Sequence, residues 1–227
     1  MTRFFIVAFF IFGLSALNAQ IHEVGVFLGG SNYIGDIGKM SYVSPNQPAF
    51  GVVYKWNRSP RHSWRFSAVL SQLKASDIDS PEPARQLRGY SFKNDLLEVS
   101  AGLEFDFFTF DLHDSEPQFT PYVYTGLSYI HYNGLFFVAD QPRYDAKHDG
   151  VALPMIVGFK GRLASNLVLG AEIGARLAFA DDLDGSNPTN KGLKPLAFGN
   201  THSNDWYVFT GITLTYTFGN KPCFCAD

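Results

Sequence analysis

The chain has 227 residues, 16% of them aromatic with 22 Phe and 11 Tyr, against only 17% charged residues and a formal net charge of -3. A balance without basic excess argues against a nucleic-acid partner, which calls for a basic face. Mean hydropathy is -0.04, and beyond the N-terminus no segment approaches the run of ~20 apolar residues that a membrane-spanning helix needs. The aromatics therefore belong either to a soluble β core or to a surface that faces lipid.

The first element is a leader. Arg3 gives a short basic start, Phe4 to Leu17 is an apolar run too short for a comfortable membrane span, and Leu17-Asn18-Ala19 resembles a signal-peptidase site. Residues 1–19 are read as a signal peptide, 20–219 as the folded barrel and 220–227 as a tail. No cysteine lies near the cleavage junction, which argues against lipoprotein processing.

Alternation and turn punctuation predict eight strands, over 21–30, 49–57, 63–73, 95–107, 120–132, 152–163, 166–178 and 206–218. Side chains on a strand alternate between faces. In the last strand Trp206, Val208, Thr210, Ile212, Leu214, Tyr216 and Phe218 share one face, while Tyr207, Phe209, Gly211, Thr213, Thr215 and Thr217 share the other. An apolar outside with aromatics near both ends and a small or polar inside is the pattern of a membrane-spanning barrel strand. Strand four repeats it, with Leu97, Val99, Ala101, Leu103, Phe105 and Phe107 opposite Glu98, Ser100, Gly102, Glu104 and Asp106.

The connections alternate in length. Arg58-Ser59-Pro60-Arg61-His62 and Ala164-Ser165 are short, 111–118 is intermediate, and 31–48, 74–94, 133–151 and 179–205 read as long polar loops. Short turns at one end and long loops at the other suit an outer-membrane barrel, and an even strand count leaves both termini in the periplasm. The fold expected is all-β, an eight-stranded antiparallel transmembrane barrel of outer-membrane type. A lipocalin-like soluble barrel matches the strand count but gives no reason for an aromatic outer face.

The same facing puts Glu23, Glu98, Glu104, Asp106 and Glu172 on the inner wall with Lys55, Arg65, Lys160, Arg162 and Arg176. An Arg or Lys facing lipid at mid-depth costs about 2–4 kcal/mol, and an eight-stranded interior is just wide enough for side chains to fill. The expectation is a balanced charge network that plugs the lumen.

Other motifs point to little chemistry. The six histidines (His22, His62, His113, His131, His148 and His202) are scattered and form no metal-ligand spacing. The run Asp181-Asp182-Leu183-Asp184-Gly185-Ser186-Asn187 carries oxygen ligands but has a misplaced glycine and no terminal glutamate for a calcium loop, and reads as a solvated loop. His148, Asp149, His202 and Ser203 could in principle converge, but a triad is a geometry and not a spacing, and no Gly-x-Ser-x-Gly elbow is present. No enzyme and no cofactor are expected. Gly29 to Gly38 reads as a glycine-rich bend at the barrel rim.

Two features could dock a partner. Arg58, Arg61 and His62 gather between Trp56 and Trp64, where a membrane-interface belt is the plainer reading. Cys223-Phe224-Cys225 sits in the tail, and because a bond between cysteines one residue apart is strained, the thiols are either incidental or an intermolecular link in an oxidising periplasm.

The chain resembles the PorG-like outer-membrane barrels of the type IX secretion system of Bacteroidetes-type bacteria. The resemblance rests on Gly29 to Gly38, Pro45-Asn46 with Ala49-Phe50-Gly51, the hairpin Tyr54-Lys55-Trp56-Asn57 to Arg61-His62-Ser63-Trp64-Arg65, and Pro121-Tyr122-Val123-Tyr124-Thr125-Gly126-Leu127. It implies a monomeric, non-catalytic barrel among outer-membrane lipids, associated with a periplasmic ring of a PorK-like lipoprotein and its PorN-like partner, in support of protein secretion or gliding motility. The alternatives are a stand-alone small barrel with a surface-binding or membrane-stabilising role, and a loop-borne lipid-modifying enzyme.

Overall fold

The computed structural model describes residues 21–112, 116–200 and 202–219. The proposed leader at 1–19 and the tail at 220–227, with Cys223, Phe224 and Cys225, lie outside the described residues. Eight strands follow one another as β1 Ile21–Ile34, β2 Gln47–Ser59, β3 His62–Ser76, β4 Ser91–Asp106, β5 Phe119–Val138, β6 Gln141–Ala164, β7 Leu167–Ala178 and β8 Trp206–Phe218. Each pairs antiparallel with its sequence neighbour, and β1 pairs with β8 from His22↔Phe218 to Ile34↔Trp206, which closes the barrel. One short helix, α1 at Pro83–Arg88, lies between β3 and β4.

The alternation read from the sequence is the alternation of burial. Along β4 the exposure pattern switches at almost every residue, with Glu98, Ser100, Glu104 and Asp106 inside and Val99, Leu103 and Phe105 outside. The outer wall is apolar and open: Leu28, Phe50, Val52, Phe66, Leu127 and Phe159 are all exposed. Such a wall has no partner in water. No helix among the described residues is long and apolar enough to cross a membrane.

Tight curvature is relieved where glycines face each other on adjacent strands. Gly102 pairs with Gly126, and a Cβ on Gly102 would stand 2.1 Å from the Thr125 carbonyl oxygen. Only glycine lets these backbones approach so closely.

The structure departs from the sequence reading at the long-loop end. Residues 133–151 are no loop: β5 and β6 run on past the wall as one hairpin, turning at Ala139-Asp140 with Ala139 at φ 57°. A register shift between Asn133 and Leu135 and the unbroken apolar run Leu135 to Val138 hid its alternation. β1 likewise continues through Gly29 and Gly30 to Ile34, so within the segment Gly29 to Gly38 the bend falls at its end, with Gly38 at φ 86°. The acidic run is not solvated, since Asp182, Asp184 and Ser186 are all 3% exposed or less.

Candidate functional site

The lumen is built by inward positions of all eight strands. Arg65 from β3 reaches across to β7, where Nη1 and Nη2 each donate to one Glu172 oxygen at 2.8 Å. Its Nη1 also stands 3.4 Å from Glu104. Glu104 is fully buried and accepts from Lys55 at 2.5 Å and Lys160 at 2.8 Å, and Lys160 bridges on to Asp106 at 2.9 Å. Toward the loop end, Arg176 approaches Glu98 at 3.3 Å.

Phenols complete the shell. Tyr122 donates to Glu172 and Tyr207 to Glu98, each at 2.5 Å. The cations also sit over rings, Arg65 over Tyr124 at 5.1 Å and Arg176 over Phe209 at 4.4 Å. Glu23 differs from the other carboxylates. Its hydrogen bonds come from neutral donors, Asn57 at 2.9 Å and Thr215 at 2.6 Å.

Arg162 faces inward as parity suggested, level with the buried Val168. It lies at the short-turn rim, beside a register shift between Arg162 and Ala164, and donates to the Asp111 carbonyl at 3.0 Å. Below the charged layer Phe110 is buried, with the Lys160 ammonium 5.0 Å from its ring. Ion pairs and rings thus fill the interior where an open pore would need water. That filling role of Phe110 carried no periodic signal, because it belongs to a link and not to a strand.

The short-turn end presents the other candidate residues. Trp56 and Trp64 face each other across β2 and β3, and the Arg58 guanidinium lies 4.9 Å over the Trp56 ring. Ser59 Oγ accepts from the backbone N–H of Arg61 at 3.2 Å and of His62 at 3.1 Å, and lies 2.6 Å from His62 Nδ1. The turn is held to its neighbour by Phe110 N–H donating to the Pro60 carbonyl at 2.9 Å. Arg58, Arg61 and His62 are exposed on this fixed turn.

The opposite end is a folded cap. Asp77 is fully buried and accepts from Gly38 N–H at 2.9 Å, Tyr90 N–H at 3.1 Å and Arg88 Nε at 2.7 Å. Tyr90, Phe137 and Phe198 pack on one another, with Tyr90 and Phe137 4.5 Å apart, and the Arg88 guanidinium lies over Tyr90 and Phe198. Deeper, Tyr33 donates to Asp205, whose other oxygen accepts from Leu183 N–H at 3.0 Å. Burial pushes the Asp205 carboxyl well above the usual range, and nearby Asp184 pushes it further. Burial also raises Asp184, and raises Asp181 to about 6.

The residues considered for a triad go separate ways. His148 binds Asp182 at 2.7 Å, Asp149 binds His131 at 2.7 Å, and the Ser203 hydroxyl donates to the Asn200 carbonyl at 2.8 Å. Among the described residues no set of three or more His, Cys, Asp or Glu side chains is arranged to hold a metal.

A family model described as a domain of unknown function, DUF6089, matches residues 2–227. No curated protein matches the sequence. Among solved structures, Ail, the attachment invasion locus protein of Yersinia pestis in complex with the heparin analogue sucrose octasulfate, is 10% identical with a TM-score of 0.47, covering 88% of this chain and 99% of that one. Neisserial surface protein A is 11% identical at a TM-score of 0.45, with 88% and 97% covered. OprG of Pseudomonas aeruginosa is 12% identical at 0.43, with 89% and 97% covered.

Proposed function

We propose that this chain, which belongs to the DUF6089 family, works as a non-enzymatic barrel of the outer membrane that anchors a periplasmic assembly of the type IX secretion system. The observation that supports the membrane location is the closed barrel with an exposed apolar wall and a charged, filled interior. Lipid satisfies the wall, and a closed ring leaves no unpaired strand edge in hydrocarbon. A filled lumen suits an anchor better than a channel.

The secretion role rests on the resemblance to PorG-like barrels, with both termini and the short turns in the periplasm. There Arg58, Arg61 and His62 form an exposed basic contact for a PorK-like lipoprotein and its PorN-like partner, on a turn braced by Trp56 and by Phe110. The test is affinity purification of tagged protein from membranes. Wild type should bring down ring proteins, and an Arg58→Ala, Arg61→Ala variant with normal heat-modifiable migration should bring down several-fold less. Equal recovery refutes the turn as the contact, and absence of ring proteins from both refutes the assembly.

A second reading is favoured by the cap. Loops tied together by Asp77, Arg88 and the Tyr90, Phe137 and Phe198 rings present a preformed outer surface. A stand-alone barrel that binds a surface ligand needs that end, and ring proteins would then be absent from its eluate.

A further inference from the structure

Two hollows lie one below the other on the outer wall. The upper, about 500 Å³, is lined by Phe50, Leu70 and Leu97 and, toward the loop end, by Gln72, Asp95 and Lys147. The lower, about 580 Å³, begins two residues further along β2, β3 and β4, at Val52, Ala68 and Val99, and continues to Phe66 and Ala101. Ala68 and Ala101 are the small side chains of this stretch, between Tyr54 on β2 and Leu127 on β5. Together the hollows form one groove down the lipid-facing wall.

Only the loop end of the groove is charged. Asp95 accepts from the neutral Gln72 amide at 2.6 Å, and among the described residues neither Asp95 nor Lys147 joins an ion pair. They do not reach each other, because Asp95 is on β4, Lys147 is on β6 opposite Asn133, and β5 runs between them. Two strand spacings set their backbones roughly 10 Å apart. A headgroup carrying both a cation and an anion fits between these two side chains, whereas a purely anionic one meets the Asp95 carboxylate.

The length of the groove selects its occupant. Gln72 to Phe66 is about 20 Å of strand, which at a barrel tilt of about 40° is about 15 Å of depth. That is half of a hydrocarbon core of about 30 Å. A neighbouring membrane protein would use the whole core, and a lipid uses one leaflet.

We propose that this groove binds a zwitterionic aminophospholipid, phosphatidylethanolamine, with its ammonium on Asp95, its phosphate on Lys147 and one acyl chain running past Leu70 and Leu97 onto Ala68 and Ala101. The proposal rests on the outer-membrane reading above. An exposed ion pair contributes up to about a factor of five in binding.

The experiment uses the full chain purified in detergent, with phosphatidylethanolamine and phosphatidylglycerol of identical acyl chains as probes and native mass spectrometry as the readout. Wild type should prefer phosphatidylethanolamine about fivefold, Asp95→Asn should bind the two alike, and Lys147→Gln should bind both about fivefold more weakly. An Ala68→Phe, Ala101→Phe variant, its groove filled, should lose both lipids while keeping its heat-modifiable migration. Glycerophosphoethanolamine, which lacks acyl chains, should displace neither. A wild type without the preference overturns the proposal, as does a preference that survives Asp95→Asn. Full binding by the filled variant overturns it by making the lipid a general coat of the barrel, and displacement by glycerophosphoethanolamine overturns it by leaving the acyl chain no part. Membrane fractionation of the wild type separates two failures. A protein found in the outer membrane without the preference sinks this inference alone, and one found elsewhere sinks the location with it.

Discussion

Replacing Arg65 by Met should destabilise the barrel far more than replacing Arg65 and Glu172 together. Arg65 is 2% exposed and makes two 2.8 Å contacts with Glu172. Its loss leaves Glu172 buried with Tyr122 as its remaining close donor. Breaking a buried pair from one side costs about 3–5 kcal/mol, whereas exchanging both partners for apolar side chains of similar volume is often neutral or better. The double variant Arg65→Met, Glu172→Met leaves Lys55 and Lys160 facing Glu104 and Asp106, two cations with two carboxylates. Denaturant unfolding in lipid vesicles, followed by tryptophan fluorescence from Trp56, Trp64 and Trp206, reads the difference. With a barrel stability on the order of 10 kcal/mol, the single variant should lose roughly a third or more of it. A single variant as stable as wild type, or a double variant as damaged as the single, refutes the electrostatic account.

Reversal at Arg176→Glu should place a second carboxylate against Glu98 and cost about as much, seen as loss of heat-modifiable migration at lower temperature. Gly102→Val should fold poorly, because its Cβ would meet backbone at 2.1 Å, and the yield of folded barrel on a gel checks this. The cap should respond to pH through its raised carboxyls. Asp181, Asp184 and Asp205 bind protons more tightly in the folded state, so their contribution is fully present below their unfolded values near 4 and is lost as pH rises through the folded ones, about 6 for Asp181. Limited proteolysis of loop 179–205 should accelerate between pH 5 and pH 8, by a few-fold on the order expected for about one kcal/mol. Asp184→Asn, which keeps the Ser186 N–H contact, should flatten that dependence.

The wall and the lumen were legible because lipid and water impose opposite demands on alternate residues. That logic located β4 and β8 and placed Arg65, Glu104, Lys160 and Glu172 inside. It stops where lipid stops. Beyond His131 a register shift between Asn133 and Leu135 and four successive apolar residues, Leu135 to Val138, leave the β5–β6 hairpin without a two-residue signature. Parity holds as far as Arg162, opposite Val168, and a register shift follows before Ala164. The buried acids of the cap were invisible for another reason. Their partners Tyr33 and Tyr132 lie on β1 and β5, far away in sequence.

The ion pairs of the lumen join strands that are seldom neighbours. Arg65 on β3 meets Glu172 on β7, Arg176 on β7 meets Glu98 on β4, and Lys55 on β2 meets Glu104 on β4. A hairpin delivered to the bilayer by itself therefore carries charges whose opposites are still on chain yet to arrive, and closing contacts between β1 and β8 come last in sequence. Stepwise insertion would pass through states with bare charge at the hydrocarbon boundary. Biogenesis of this chain is accordingly expected to be concerted, with β1 through β8 gathered into a nearly closed ring before any of it descends.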